Sequence, residues 1–427
     1  MGMRQHGLNW MILGLAGILG LVGCNDGTPG LVLTPSASPS PRVMAPSPSP
    51  SVLPTASPTP TPPAAYRIAT VAGDGIKGDA DNGQVATASS LFSPTGVTQG
   101  PDGSLYIADY KINKIRKVTP DGLIYTIAGN SFTPGDSGDG GPATQASLAK
   151  PYCVVLDAKG NLYFSEYGYS VPGTTIPGKV RWIDSSGILH LLAGSGSLDV
   201  TDGVSGTDAN LLGPEGLVFD KSGNLYIAEY DGHRVDKLDP SGHLTIVAGT
   251  GVSGNSGDGG LATQATLANP NWLVFDAKGD LVIVDSGNDD VRMVKTDGTI
   301  STIAGTGAQT NDPRLSGYIA TQPTELLGDG GPATLATFNT PTTAVYDNAG
   351  DLLITDSGNN AIRRIDTNGL ISTIAGTEMP PDASSSALPD GTYASQVAIG
   401  SPDGMFINSL GQIFFSEYSG YRVRQLY

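Results

Sequence analysis

At 427 residues, with 39% hydrophobic and only 15% charged side chains, the chain can bury a large core. Its 23 Lys and Arg stand against 40 Asp and Glu, a formal net charge of −17; such a surface repels phosphate backbones and excludes nucleic acid as an expected partner. Two cysteines are too few for a disulfide framework.

Arg4 is the one Lys or Arg ahead of an apolar run over residues 10–22, which ends in Leu21-Val22-Gly23-Cys24. The run is shorter than the ~20 residues a spanning helix needs and reads as an export signal. It resembles bacterial lipoprotein signals, in which a Leu-x-Gly-Cys box marks a cysteine that is acylated and becomes the new N-terminus. That resemblance implies a signal peptide over 1–23 and a lipid on Cys24. Residues 24–64, rich in Pro, Ser and Thr, have almost no core-forming side chains and read as a disordered to polyproline-like linker.

From residue 65 the chain is repetitive. Residues 94–129 contain four short apolar runs separated by turn signals, among them Asp102-Gly103 and Asp121-Gly122. Asp-Gly supplies the positive φ of a hairpin turn, so the unit reads as a four-stranded antiparallel meander, strands a to d. A closing Ile/Val/Leu-Ala-Gly ends at Gly73, Gly129, Gly194, Gly249, Gly305 and Gly376. Six copies of strands a, b and c follow Pro94, but the sixth stops at Tyr427 without its strand d. The missing strand lies at the other end, where residues 66–73, YRIATVAG, match 123–129, LIYTIAG. The fold predicted is all-β, a six-bladed β-propeller over 65–427 with its last blade closed by the N-terminal strand.

Residues 105–118, LYIADYKINKIRKV, and 352–365, LLITDSGNNAIRRI, resemble the NHL-repeat family of β-propellers. The d-to-a connections at 135–151, 257–270 and 328–341, each with Gly-Asp-Gly-Gly, resemble the variant found in large secreted bacterial members. The resemblance implies the fold; the family spans sensors, peptide- and RNA-binding modules and an amidating lyase, so it implies no single activity.

In such a meander the a–b and c–d turns share one face, and the b–c turns and d–a connections share the other. All long insertions fall on the second face, including 167–178, 306–341 and 377–402. Strand b delivers one acid per blade to it: Asp109, Glu166, Glu229, Asp285, Asp356 and Glu417. These six are expected as a pore rim that could hold a hard cation, or as caps of their own b–c turns, with Arg116, Arg181, Arg292, Arg363 and Arg424 pairing to them between blades. Asp136, Asp139, Asp258 and Asp329 in the glycine-rich loops could donate oxygens to Ca2+, the one cofactor considered, though the spacing lacks an EF-hand series. Gly-Pro-Ala-Thr within them reads more simply as a short helix with Pro at its first position. His190, His233 and His243 do not occupy equivalent places, which argues against a three-histidine zinc site, and Cys153 reads as a buried structural thiol.

One asymmetry breaks the repeat. The residue after the strand-b acid is Tyr110, Tyr167, Tyr230 and Tyr418 in blades 1, 2, 3 and 6, but Ser286 and Ser357 in blades 4 and 5. Blade 6 adjoins blade 1, so the tyrosines form one arc, which Tyr169 could extend. The expectation is an extracytoplasmic, membrane-tethered, non-enzymatic module that binds a protein, peptide or glycan through these tyrosines. The alternative is a metal-dependent hydrolase or lyase of gluconolactonase or amidating-lyase type, working in the central pore. For the tether, Cys24→Ser is expected to abolish lipidation and move the protein from the detergent to the aqueous phase; unchanged partitioning would show the box to be incidental.

Overall fold

The computed structural model describes residues 65–307, 328–377 and 389–427. The signal, Cys24 and the linker, and parts of the loops at 306–341 and 377–402, lie outside the described residues. Within 65–427 six antiparallel sheets follow one another. In blade 1, strands a to d are Pro94–Gln99, Leu105–Asp109, Lys114–Val118 and Leu123–Ala128. Blades 2 to 5 repeat the order, with their strands a at Pro151–Leu156, Pro214–Phe219, Pro270–Phe275 and Pro341–Tyr346. Blade 6 has Pro402–Ile407, Ile413–Glu417 and Arg422–Leu426, and its fourth strand is Ile68–Ala72. Ile68 pairs with Leu426 and Ala72 with Val423, so the expected closure is present.

The tight turns follow from one aspartate each. Asp157 accepts the N–H of Lys159 and of Asn161, at 2.8 and 2.9 Å, and Gly160 takes φ 84°. Asp220, Asp276 and Asp347 do the same at their a–b turns. Apolar side chains alternate along the strands and pack between neighbouring blades. Phe164 and Val154 of blade 2 meet Ala108 and Ile115 of blade 1, while Phe414 and Val423 of blade 6 meet Val97 and Ile107 across the closure. Each large side chain buried in this way is worth about 1.5–3 kcal/mol.

The described parts of the long d–a connections join neighbouring blades. Each leaves strand d of one blade, runs beside strand d of the next, and only then enters strand a. In blade 1 the visiting segment, Gln84–Val85, forms a fifth strand against Leu123–Ala128. The short helix expected from Gly-Pro-Ala-Thr is a single 3-10 turn, Ala143–Gln145, and Pro142 caps it instead of opening it. Gly129, at φ 89°, donates its N–H to Ala143 O; Gly73, Gly249, Gly305 and Gly376 make the same bond to Ala86, Ala262, Ala333 and Ala394. A Cβ on Gly129 would meet Asn113 O at 2.2 Å, which explains the invariant ending of strand d in this chain.

Candidate functional site

The six strand-b acids do not form a rim. Five are 0% exposed and Glu417 is 2%. Each accepts an N–H from the residue two places before its own strand a: Phe92, Ala149, Leu212, Ala268, Asn339 and Gly400. They therefore cap the end of the d–a connection, and in blades 4 and 5 they also accept the side-chain N–H of Asn288 and Asn359 in their own b–c turns. Four of the strand-c arginines pair with the acid of their own blade, while Arg116 pairs with Asp79 of the connection into blade 1, at 2.8 Å. Arg181 Nη1 stands 3.2 Å from Glu166, Arg363 Nη1 3.3 Å from Asp356, Arg424 Nη1 3.5 Å from Glu417 and Arg292 Nη1 3.7 Å from Asp285.

The same arginines absorb the loop aspartates proposed for Ca2+. Arg181 Nη2 lies 3.1 Å from Asp136 and Asp139, Arg292 Nη2 reaches Asp258 at 2.5 Å, and Arg363 binds Asp329. Asp258 and Asp329 also accept the N–H of Thr302 and Thr373, in strands d. These oxygens are committed to joining loop and blade. Blade 3 carries Asp236 where the others have arginine, and Arg234, two residues earlier, reaches both Glu229 and Asp236 instead. Burial drives two of the strand-b carboxyls upward, Asp109 to about 7 and Asp356 to about 6, against the pull of arginine.

A second stitch uses the b–c turn. Asn113, His233, Asp289 and Asn360 sit at positive φ and each accepts an N–H from the next blade, at Lys150, Asn269, Thr340 and Ser401. His233 is thereby placed as an architectural residue. His190 is stacked on Trp182 beside Asp184, and Cys153 is fully buried, its thiol pushed up to about 12 by burial.

The tyrosines do come together. Ring centroids of Tyr418 and Tyr110 are 6.1 Å apart, and those of Tyr167 and Tyr230 are 6.3 Å apart. Lys150 joins the two pairs, its Nζ 5.7 Å from Tyr110 and 5.1 Å from Tyr167, with Tyr169 at 5.6 Å. Tyr169 opens a small hairpin, Tyr169–Val171 with Thr174–Ile176. Tyr167 donates its hydroxyl to the exposed Asp231 at 2.6 Å. All five tyrosines are half-buried.

Beneath them lies a ring that the sequence reading missed. Strand a begins with Pro in every blade, and a bulge follows at once: Pro214 pairs with Glu229, but Leu217 pairs with Ile227. The bulge aims the second residue of the innermost strand at the axis. Those residues are Thr95, Tyr152, Glu215, Asn271, Thr342 and Asp403, all buried. Contacts run across the ring: Asn271 Nδ2 donates to Glu215 Oε2 at 2.6 Å and to Tyr152 Oη at 3.1 Å, and Tyr152 donates to Asp403 at 3.2 Å. Hydroxyls on neighbouring blades pin the backbone here, Ser165 on Glu215 O at 2.6 Å, Thr95 on Tyr152 O at 2.8 Å and Thr355 on Asp403 O at 3.0 Å. Gly216 leaves room for this approach, since a Cβ there would meet Asn271 O at 2.5 Å. Tyr110 stands 6.1 Å from Tyr152, edge to face, so the arc and the ring form one surface.

Burial lifts Glu215 well above its ordinary range, with Asp403 and Asp231 adding to the rise, and pushes Asp403 up to about 7.

Residues 66–135 match the model of the Teneurin NHL domain. The chain is 25% identical over 368 residues to Teneurin-1 of Gallus gallus, covering 80% of this chain and 12% of that protein. It is 33% identical over 198 residues to Teneurin-1 of Caenorhabditis elegans, covering 43% of this chain and 7% of that one. The chain thus spans only a small part of the curated relatives it matches. Among solved structures it is similar to a structural genomics protein of unknown function from Bacteroides thetaiotaomicron, with TM-score 0.59 and 15% identity over 85% of this chain and 76% of that one. An auxiliary nutrient binding protein from the same organism gives TM-score 0.58 at 13% identity, over the same shares. Together with the six-bladed architecture, the family match supports an NHL-repeat β-propeller.

The titration of Asp403 has a consequence for stability. A carboxyl raised from 3.8 to about 7 is protonated in the folded chain and ionised in the unfolded one between those values, so stability is full below 3.8 and is lost as pH rises through about 7. Asp403→Asn should therefore raise the melting temperature above that range, by an amount equivalent to about 2–4 kcal/mol, and leave it unchanged in acid. A shift of equal size at both extremes, measured by calorimetry, would contradict this.

Proposed function

We propose that the chain is an exported, lipid-tethered NHL propeller that acts as a non-enzymatic binding module, with the tyrosine-bearing face as its recognition surface. The observation that carries this reading is the continuity of the arc. Tyr418, Tyr110, Tyr167 and Tyr230, from four successive blades, hold half-buried rings around one opening, and Tyr169 joins through Lys150. Tyrosine offers large contact area at low entropic cost and a hydroxyl for polar partners. The blades that lack it, 4 and 5, keep the same strands and stitches, so the rings are not needed to build a blade.

The ligand classes that suit such a surface are proteins, extended peptides and glycans, whose apolar faces stack on phenol rings while hydroxyls and amines meet Asp231 and the carboxylates below. Export and lipidation at Cys24 would place this face outside the cytoplasm at the end of the Pro-rich linker, at the cell or outer membrane. Catalysis is the weaker reading. Among the described residues no group of three or more His, Cys, Asp or Glu could hold a metal, and a thiol as deeply buried as Cys153 supplies no nucleophile.

Tyr167→Ala combined with Tyr230→Ala separates recognition from architecture. The double variant should keep the parent's cooperative melt and lose about thirtyfold in affinity for hits on peptide and glycan arrays, as loss of a 2 kcal/mol hot spot would. An unchanged binding profile in a stably folded variant would remove the arc from the account.

A further inference from the structure

Two carboxyls of the strand-a ring lack what the strand-b acids have. The strand-b acids each stand against an arginine. Glu215 and Asp403, 5% and 6% exposed, have no basic partner among the described residues. Among the described residues Glu215 takes one N–H, from Asn271, on Oε2. Asp403 takes only the Tyr152 hydroxyl on its carboxylate. Burial disfavours ionisation of both acids, which are linked through Asn271 and Tyr152, and a ligand that brings a cation would offset that cost.

The surroundings point to the kind of cation. The passage down to the carboxylates is lined by phenol rings: Tyr110 packs between Tyr418 and Tyr152, and Tyr152 itself bonds to Asp403. The tyrosine face already accepts an ammonium group, since Lys150 Nζ lies over Tyr110, Tyr167 and Tyr169. A hard metal ion fits less well. Asn271 donates to Glu215 from Nδ2, and both its Nδ2 and its Oδ1 lie within hydrogen-bond reach of the Tyr152 hydroxyl, whose shorter bond as donor goes to Asp403, so the amide is already taken up by its neighbours. We infer that the channel mouth takes an organic ammonium group, presented by the ligand of the tyrosine face as a lysine-like side chain that passes between the rings and ends at Glu215 and Asp403. This rests on the tyrosine face being a binding surface and adds the chemical class of its anchor.

The probe pair is N-acetyl-lysine methylamide and its neutral isostere N-acetyl-norleucine methylamide, titrated by calorimetry into the full chain, with CaCl2 as a separate arm. The lysine probe should bind at least about tenfold more tightly than the norleucine probe, because only it pairs with the buried carboxylates. Glu215→Gln and Asp403→Asn should each weaken the lysine probe by about tenfold and leave the norleucine probe unaffected. Tyr167→Ala with Tyr230→Ala should weaken both probes alike. Equal affinity of the two probes, or silence from both, would overturn the inference without any variant having to fold. Saturable Ca2+ binding that displaces the lysine probe would overturn it in favour of a metal site. Array binding that persists while both probes are silent would leave the tyrosine surface standing and remove only the ammonium anchor.

Discussion

The molecule depends on one antiparallel pairing between the two ends of its propeller, Ile68–Ala72 against Arg422–Leu426. Five blades are continuous in the chain; the sixth is complete only when this strand arrives. Without it, blade 6 would present an open edge, and the apolar side of Phe414 and Val423 would lose the cluster it shares with Ala72, Val97 and Ile107. The channel depends on the same event. Tyr152, Glu215, Asn271 and Asp403 come from blades 2, 3, 4 and 6, and they meet only because the blades close into a ring.

Two polar stitches then make each blade rigid and nearly identical to the next. A buried arginine links the strand-b acid to the aspartate of the incoming loop, and a side chain at positive φ in the b–c turn holds the start of the neighbouring strand a. Blade 3 shows how strictly the first is kept, since Asp236 removes the usual arginine and Arg234 restores the positive charge from two residues away. Such a scaffold sets an arginine near each strand-b acid. Acids without a base beside them, as at Glu215 and Asp403, then mark a departure from architecture, and it is at departures of this kind that recognition is built.

Much of this was legible in the sequence because repetition makes it so. Blade number, strand order and the closing strand follow from the recurrence of Asp-Gly turns and Ile-Ala-Gly endings, and the tyrosine arc from four exceptions at one position. The role of the strand-b acids was not legible: a carboxylate at a strand end reads the same whether it faces a channel or a backbone N–H, and only the path of the d–a connection decides. The channel ring was hidden for a different reason. Its six members, Thr95, Tyr152, Glu215, Asn271, Thr342 and Asp403, share no chemistry, and a bulge after the leading proline sends each to the axis against simple alternation. The available signal was positional: a polar or bulky residue follows the proline of every strand a, on the strand nearest the axis.

Hydrogen exchange of the peptide spanning residues 66–73, read by mass spectrometry in the intact chain, addresses the closure on which the fold and the site both rest. The pairing of Ile68 with Leu426 and Thr70 with Arg424, joined by mutual backbone bonds between Arg67 and Tyr427, predicts protection comparable to that of strand c of blade 6. Exchange as fast as that of an unstructured peptide would show an open ring and would contradict the account.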